Sequence, residues 1–174
     1  YANTDHSALT WSDAAQYLVD GKGAMHIMGD WTDGWFTSKG YKDYGWAPVP
    51  RTQGIFDALS DSFAAAKGAK NQDNLVNWLK VSGSKAGQEA FNPKKGSICA
   101  RTDCDPALFN DYLKSAMQDW SKDAIVPSVA HGAAAVEKWA TVYKDILTTF
   151  ATNGDVAAAQ KSLQQACVDN GVCK

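Results

Sequence analysis

Four side chains stand where the sequence changes character. Trp31 follows an apolar run, Asp61 closes another, Lys95 sits beside a glycine in a turn, and His131 precedes a helical stretch. Taken singly, each has an ordinary structural role: a core ring, a cap for local backbone, a solvated charge, a capping residue. Taken together they carry the chemistry that a polyhydroxylated ring requires. An aromatic face packs on the apolar face of a pyranose, a carboxylate accepts from neighbouring hydroxyls, and an ammonium and an imidazole donate back. Bonds to the charged groups are the stronger ones. No enzymatic set competes with this reading. The chain has no G-x-S-x-G, H-E-x-x-H, P-loop or dinucleotide fingerprint, and its carboxylates form no evident acid and base pair. The residues point to a binding protein that is not an enzyme and uses no cofactor or metal.

Lys95 belongs to the most unusual stretch, Phe91 to Asp105, FNPKKGSICARTDCD. Asn92-Pro93 is expected to break the preceding helix, Lys94-Lys95-Gly96 to form a flexible turn, and Asp105-Pro106 to start a new helix. Cys99 and Cys104 lie close together here, and Cys167 and Cys173 form a second close pair. Four cysteines allow three connectivities, and proximity favours two local bridges. Zinc is the rival reading, but neither pair has the spacing of a structural site and no histidine is near. Disulfides imply an oxidising compartment, periplasmic or extracellular. The absence of a signal peptide is read as a mature or trimmed form.

The rest of the chain must position these groups. Its 174 residues suit one ordinary domain, and 45% hydrophobic with 21% charged residues is a soluble globular composition. A net charge of −2 without a basic stripe argues against nucleic acid, and the apolar runs are too short to span a bilayer. Ser12 is expected to cap a short helix ended by Gly21. Ala24–Met28, AMHIM, reads as a buried strand, with His26 as a hydrogen-bonded core histidine. Tyr44–Val49 reads as another strand, and Ile55–Phe63 carries a mixed strand signal. Asn71 and Ser84 cap helices, the second ending near Phe91. Pro106–Lys122 reads as one helix burying Phe109, Tyr112, Leu113, Ala116 and Trp120. Ala124–Val129 is extended, His131-Gly132 leads into a long helix, and Asp155 caps the last one. Strand and helix alternate early while helices dominate later, so the class leans to α/β, helix-rich.

The runs GKGAMHIMGDW, SDSFAAAKGAKN, WLKVSGSKAGQEAFNPKKGSICARTD and DAIVPSVAHGAAA resemble extracellular sugar-binding proteins of ABC importers, the glucose-binding branch above all. The resemblance covers nearly the whole chain but only the C-terminal half of such a protein. It implies part of a two-lobed periplasmic-binding-protein-like fold, a monosaccharide ligand, a transporter permease as partner, and an N-terminal half that is missing or a separate chain. Trp31 would stack on the sugar, with Trp35 as the competing choice, and Asp61, Lys95 and His131 would bond its hydroxyls. Residues 1–59 would be a C-terminal-lobe segment, 62–105 an N-terminal-lobe segment after a hinge crossing, and 106–174 a C-terminal-lobe helical segment. Two positions depart from the family's pattern: Cys99, where proline is usual, and Arg51, where glycine is favoured. The alternatives are a fragment of a secreted carbohydrate-active enzyme and a secreted interaction domain without ligand.

Overall fold

The computed structural model describes residues 3–173. The chain folds as two compact units, the first made of residues up to Gly54 with Asp61–Asp123, the second of Ile55–Ser60 with Ala124 onward. Helices dominate both, and a small parallel sheet completes a helix-rich α/β class.

The first unit starts with α1 (Trp11–Val19). Its cap is Thr10 rather than Ser12: Thr10 Oγ1 accepts from Asp13 N–H at 3.2 Å, and the Asp13 carboxylate accepts from Thr10 N–H at 3.0 Å. This reciprocal pair satisfies two donors that a lone serine would leave. Helix α2 (Trp31–Ser38) follows, then α3 (Gln72–Ser82) and α4 (Lys85–Lys95). Ser84 caps α4 by accepting from Gly87 N–H at 3.0 Å. Helix α4 does not break at Asn92-Pro93. Proline removes one N–H but leaves the rest of the last turn intact, and buried Asn92 anchors it. Asn92 Nδ2 donates to Gln88 Oε1 at 2.8 Å, and its carbonyl accepts from Gly96 and Ser97. The helix stops where Gly96 turns left-handed, φ +79°.

The expected helix from Pro106 to Lys122 is divided. Asp105 caps a single 3-10 turn, Pro106–Leu108, and Asn110 then caps α5 (Asp111–Lys122) by accepting from Leu113 N–H at 2.9 Å. Phe109, Leu113 and Ala116 are buried, whereas Trp120 is exposed. Neither Ala24–Met28 nor Tyr44–Val49 forms a ladder; among the described residues both lie outside any helix or strand, with a bend at Ala24. An apolar run specifies a strand only when another strand answers its backbone. Arg51 lies in the turn after the second run at φ +70°, a conformation glycine takes without steric cost.

In the second unit, β1 (Ile55–Ala58) pairs in parallel with β2 (Ala124–Pro127), Ile55 opposite Ala124 and Ala58 opposite Pro127. Helices α6 (Glu137–Asn153) and α7 (Val156–Asp169) lie against each other around buried Trp139, Ala166 and Cys167. Asp155 caps α7 by accepting from Ala158 N–H at 2.9 Å. Val136, not His131, stands at the start of α6. No helix among the described residues is long and apolar enough to cross a membrane.

Candidate functional site

In the first unit the site is built on the meeting of α2 with the end of α4. Gly34 of α2 and Gly96 at the α4 cap face each other main chain to main chain. A methyl group on Gly34 would overlap the Lys95 carbonyl, and one on Gly96 would overlap Gly34 N and lie 3.0 Å from the Asp30 carbonyl. Only two glycines allow this approach. The contact places the Lys95 end of α4 next to the Asp30–Trp31 start of α2. The Trp31 ring folds back over Gly29, whose missing side chain leaves room for it.

Lys95 Nζ donates to Asp61 Oδ2 at 2.6 Å and to Ser97 Oγ at 3.2 Å. Asp61 and Lys95, 34 residues apart, are therefore direct partners. The carboxylate side is largely exposed, at 64%, against 30% for the lysine. Exposed pairs of this kind stabilise a fold by about 0–1 kcal/mol, so this one orients Lys95 more than it holds the chain together. Gln88 shapes the loop that follows: its Oε1 accepts from Ala100 N–H at 3.1 Å while its Nε2 donates to the Ser82 carbonyl at 2.8 Å. Arg101 forks onto the Asp103 carboxylate at 2.7 and 2.8 Å, and Cys99 is joined to Cys104 in the same loop.

Flanking Trp31 in sequence is a pair of carboxylates that residue types alone did not single out. Asp30 accepts from Tyr112 Oη at 2.5 Å. Buried Asp33 accepts from Tyr44 Oη at 2.5 Å and from both reaches of Asn110 Nδ2, at 2.9 and 3.1 Å. Burial raises the Asp30 carboxyl above the ordinary range, and the Asp33 charge adds to the rise; the Tyr112 bond and the Lys95 charge oppose it. Burial likewise pushes both tyrosines well above the usual phenol value, so they remain donors. The signal available in the sequence was the spacing: Asp30 and Asp33 stand three apart on one helical face, and Asn110 and Tyr112 flank the start of α5.

His131 belongs to the second unit. It sits in the turn after β2, where Ser128 Oγ and His131 Nδ1 are 2.9 Å apart. Ser128 is buried and holds the turn from several sides: its N–H donates to the Ala58 carbonyl at 3.1 Å, and its carbonyl accepts from Ala133 and Ala134. A cavity of about 390 Å³ opens here, lined by Leu59, Ser60, Ile125, Pro127, His131 and Gly132 among others. Its lining combines small apolar side chains with polar backbone groups and the His131 imidazole. Cys167 is joined to Cys173 beyond the end of α7. Among the described residues no cluster of three or more His, Cys, Asp or Glu side chains could hold a metal. His26 differs from the core histidine expected. It is half-buried, its Nε2 is enclosed without a hydrogen bond, and desolvation lowers its pKa.

No family model matches the chain. It is 36% identical over 171 residues to an uncharacterized ABC transporter extracellular-binding protein of Pyrococcus horikoshii, a match that takes in 95% of this chain and 38% of the relative. It is 36% identical over 143 residues to the xylose/arabinose-binding protein of Haloferax volcanii, covering 79% of this chain and 31% of that protein. A probable sugar-binding periplasmic protein of Brucella suis is 33% identical over 158 residues, 85% of this chain and 37% of its own length. The chain thus spans well under half the length of these relatives. Their names are those of binding proteins rather than enzymes, and the first and third are named extracellular and periplasmic, in agreement with the compartment expected from the paired cysteines.

Proposed function

We propose that this chain is the sugar-recognising part of an extracytoplasmic binding protein that delivers a glucose-like monosaccharide to the permease of an ABC transporter. The observation that carries the reading is the Lys95–Asp61 pair beside Trp31, in a chain whose relatives are named for sugar binding. A charged donor and a charged acceptor 2.6 Å apart on a partly exposed surface form a contact that sugar hydroxyls can exchange into. Trp31 supplies the stacking face, and His131 a further hydroxyl partner. An N-terminal half, in the same polypeptide or as a separate chain, completes the cleft.

On this reading 1–59 and 106–174 ride on one lobe and 62–105 on the other, and the chain crosses the hinge near Asp61. The Gly34–Gly96 contact is then a seam between lobe segments that forms on closure, and ligand favours closure because it touches both sides. Saturation-transfer NMR with glucose, xylose and arabinose detects millimolar binding to this chain; sugar turnover in the same tube would show a carbohydrate-active enzyme instead. The sharper test is calorimetry with glucose on the protein that carries the full cleft. Lys95→Met should lose on the order of 1.5–3 kcal/mol of binding, as expected for a hydrogen bond to a charged group. Lys94→Met should cost little. Equal losses would sink the assignment of Lys95.

A further inference from the structure

We propose that Asp30 is a positioning residue for Trp31: its carboxylate, held by Tyr112, fixes the angle at which α2 starts, and protonation of that carboxyl loosens the hold. The first sign is that Asp30 does not act as a cap. An aspartate at a helix start ordinarily spends an oxygen on the first-turn amides, as Asp105 and Asp155 do here. Asp30 has helical backbone, φ −52° and ψ −33°, and its side chain makes no capping bond. The carboxylate reaches out of α2 instead and accepts from Tyr112 Oη of α5 at 2.5 Å. Asp33, three residues on, does likewise. It is 4% exposed, accepts from Tyr44 and Asn110, and its N–H donates to the Asp30 carbonyl at 2.9 Å. The first turn of α2 is thus tied to other elements through both carboxylates.

Every side-chain donor to the two carboxylates is neutral, and among the described residues neither carboxylate is in an ion pair. A charge kept half-buried on neutral donors is costly, and an asparagine would offer Tyr112 an acceptor at less cost. What the carboxylate adds is strength, because a phenol donates more tightly to an anion than to a neutral oxygen. That strength is lost when a proton is taken up. Three groups face the Asp30 carboxyl: Tyr112 from α5, Asp33 on its own helix and Lys95 at the end of α4. Burial and the Asp33 charge raise its pKa, and Tyr112 and Lys95 offset them only in part. The hold therefore weakens at a higher pH than an unperturbed aspartate would set. The geometry passes the change to Trp31. Its ring lies over Gly29, where a methyl group would overlap it, so the ring rests on the backbone that Asp30 anchors. Only the effect on sugar rests on the functional reading above, through Trp31 as the stacking face; the tie between Asp30 and Trp31 does not.

Nuclear magnetic resonance on the isotope-labelled chain tests this. The Asp30 carboxyl carbon and the Trp31 indole N–H, assigned with Trp31→Phe, are followed from neutral pH into the acid range. Circular dichroism checks the fold at each step. The indole signal should shift with the same midpoint as the Asp30 carboxyl, above the ordinary carboxyl range. Asp30→Asn keeps an acceptor but cannot titrate, and should hold the indole signal near its acid position at every pH. Tyr112→Phe should do the same, although its Asp30 carboxyl still titrates. An indole signal that ignores Asp30, that keeps the same midpoint in Asp30→Asn, or that follows Asp30 undiminished in Tyr112→Phe would each overturn the proposal. The last would show a field effect of the charge alone. Glucose binding at neutral pH is read separately by saturation transfer, and Asp30→Asn should weaken it roughly two- to tenfold, the weight of one ordinary hydrogen bond. Glucose bound equally by both proteins, with the indole shift present, leaves the hold standing and removes Trp31 as the stacking residue. Glucose bound with no indole shift does the reverse.

Discussion

Two neighbouring regions of the first unit treat their backbones in opposite ways. Where α2 meets α4, every device is present: Gly96 in the left-handed region, Gly34 opposite it, Asn92 bonded to Gln88, and Asp33 accepting from Tyr44 and Asn110. Along Ala24–Met28 and Tyr44–Val49 the same chain lies outside any helix or strand, with Met25, Ile27, Trp46 and Val49 exposed and no ladder formed. The first region closes within the sequence at hand, through contacts each side can supply. The second has the composition of sheet without a sheet. Helix ends are satisfied by near neighbours, but a strand edge is satisfied only by another strand.

Substitutions can break this contrast or sharpen it. The largest effect should come from Gly96→Ala, which adds both left-handed strain and main-chain overlap with Gly34. The loss should be on the order of 3 kcal/mol, read as a fall in the urea midpoint. Gly34→Ala, with overlap alone, should lose about 2 kcal/mol. If both alanines are tolerated, the seam is looser than described. Next is Asp33→Ala, which leaves Tyr44 Oη and Asn110 Nδ2 without their acceptor. A loss of about 1.5–3 kcal/mol in the same titration is expected.

Arg51 supplies the mirror test. It holds nearly the φ of Gly96 without being glycine, in the turn after the unpaired run Tyr44–Val49. Arg51→Gly should therefore stabilise the chain, by roughly 1 kcal/mol at most, since relief of left-handed strain is partly offset by glycine's greater freedom when unfolded. The smallest effect belongs to Met25→Thr and Ile27→Thr. In this chain alone each should move stability by less than about 0.5 kcal/mol, because exposed side chains lose nothing on truncation. A large loss at either would mean that the run is core after all.

What the sequence made legible follows the same line. Ser84, Asp105 and Asp155 were readable as caps because their partners lie two or three residues away. Asn92-Pro93 misled because the missing N–H is local, whereas the bonds that carry α4 past it come from side chains one turn back. Ala24–Met28 misled because periodicity states what a strand would bury, not whether a partner exists. At the site, the chemistry of Trp31, Asp61, Lys95 and His131 was visible in residue type, but the 2.6 Å meeting of Lys95 with Asp61 was not. Asp30 and Asp33 went unnoticed because acidic residues at the start of a helix are ordinary; only Tyr44, Asn110 and Tyr112, brought from later in the chain, give them hydrogen-bond donors.

On the closure proposed above, the facing glycines would have a consequence for repeated use. Main chain meeting main chain hides amide groups and almost no hydrocarbon. When such a joint parts, water resolvates what is uncovered, and no adhesive patch is left to catch a passing molecule or to wet slowly. A seam made of leucines would resist opening and invite aggregation each time it opened. One made of Gly34 and Gly96 wears little: the fastening gains its accuracy from the fit of two bare backbones, and that fit is restored without any side chain having to find its rotamer again.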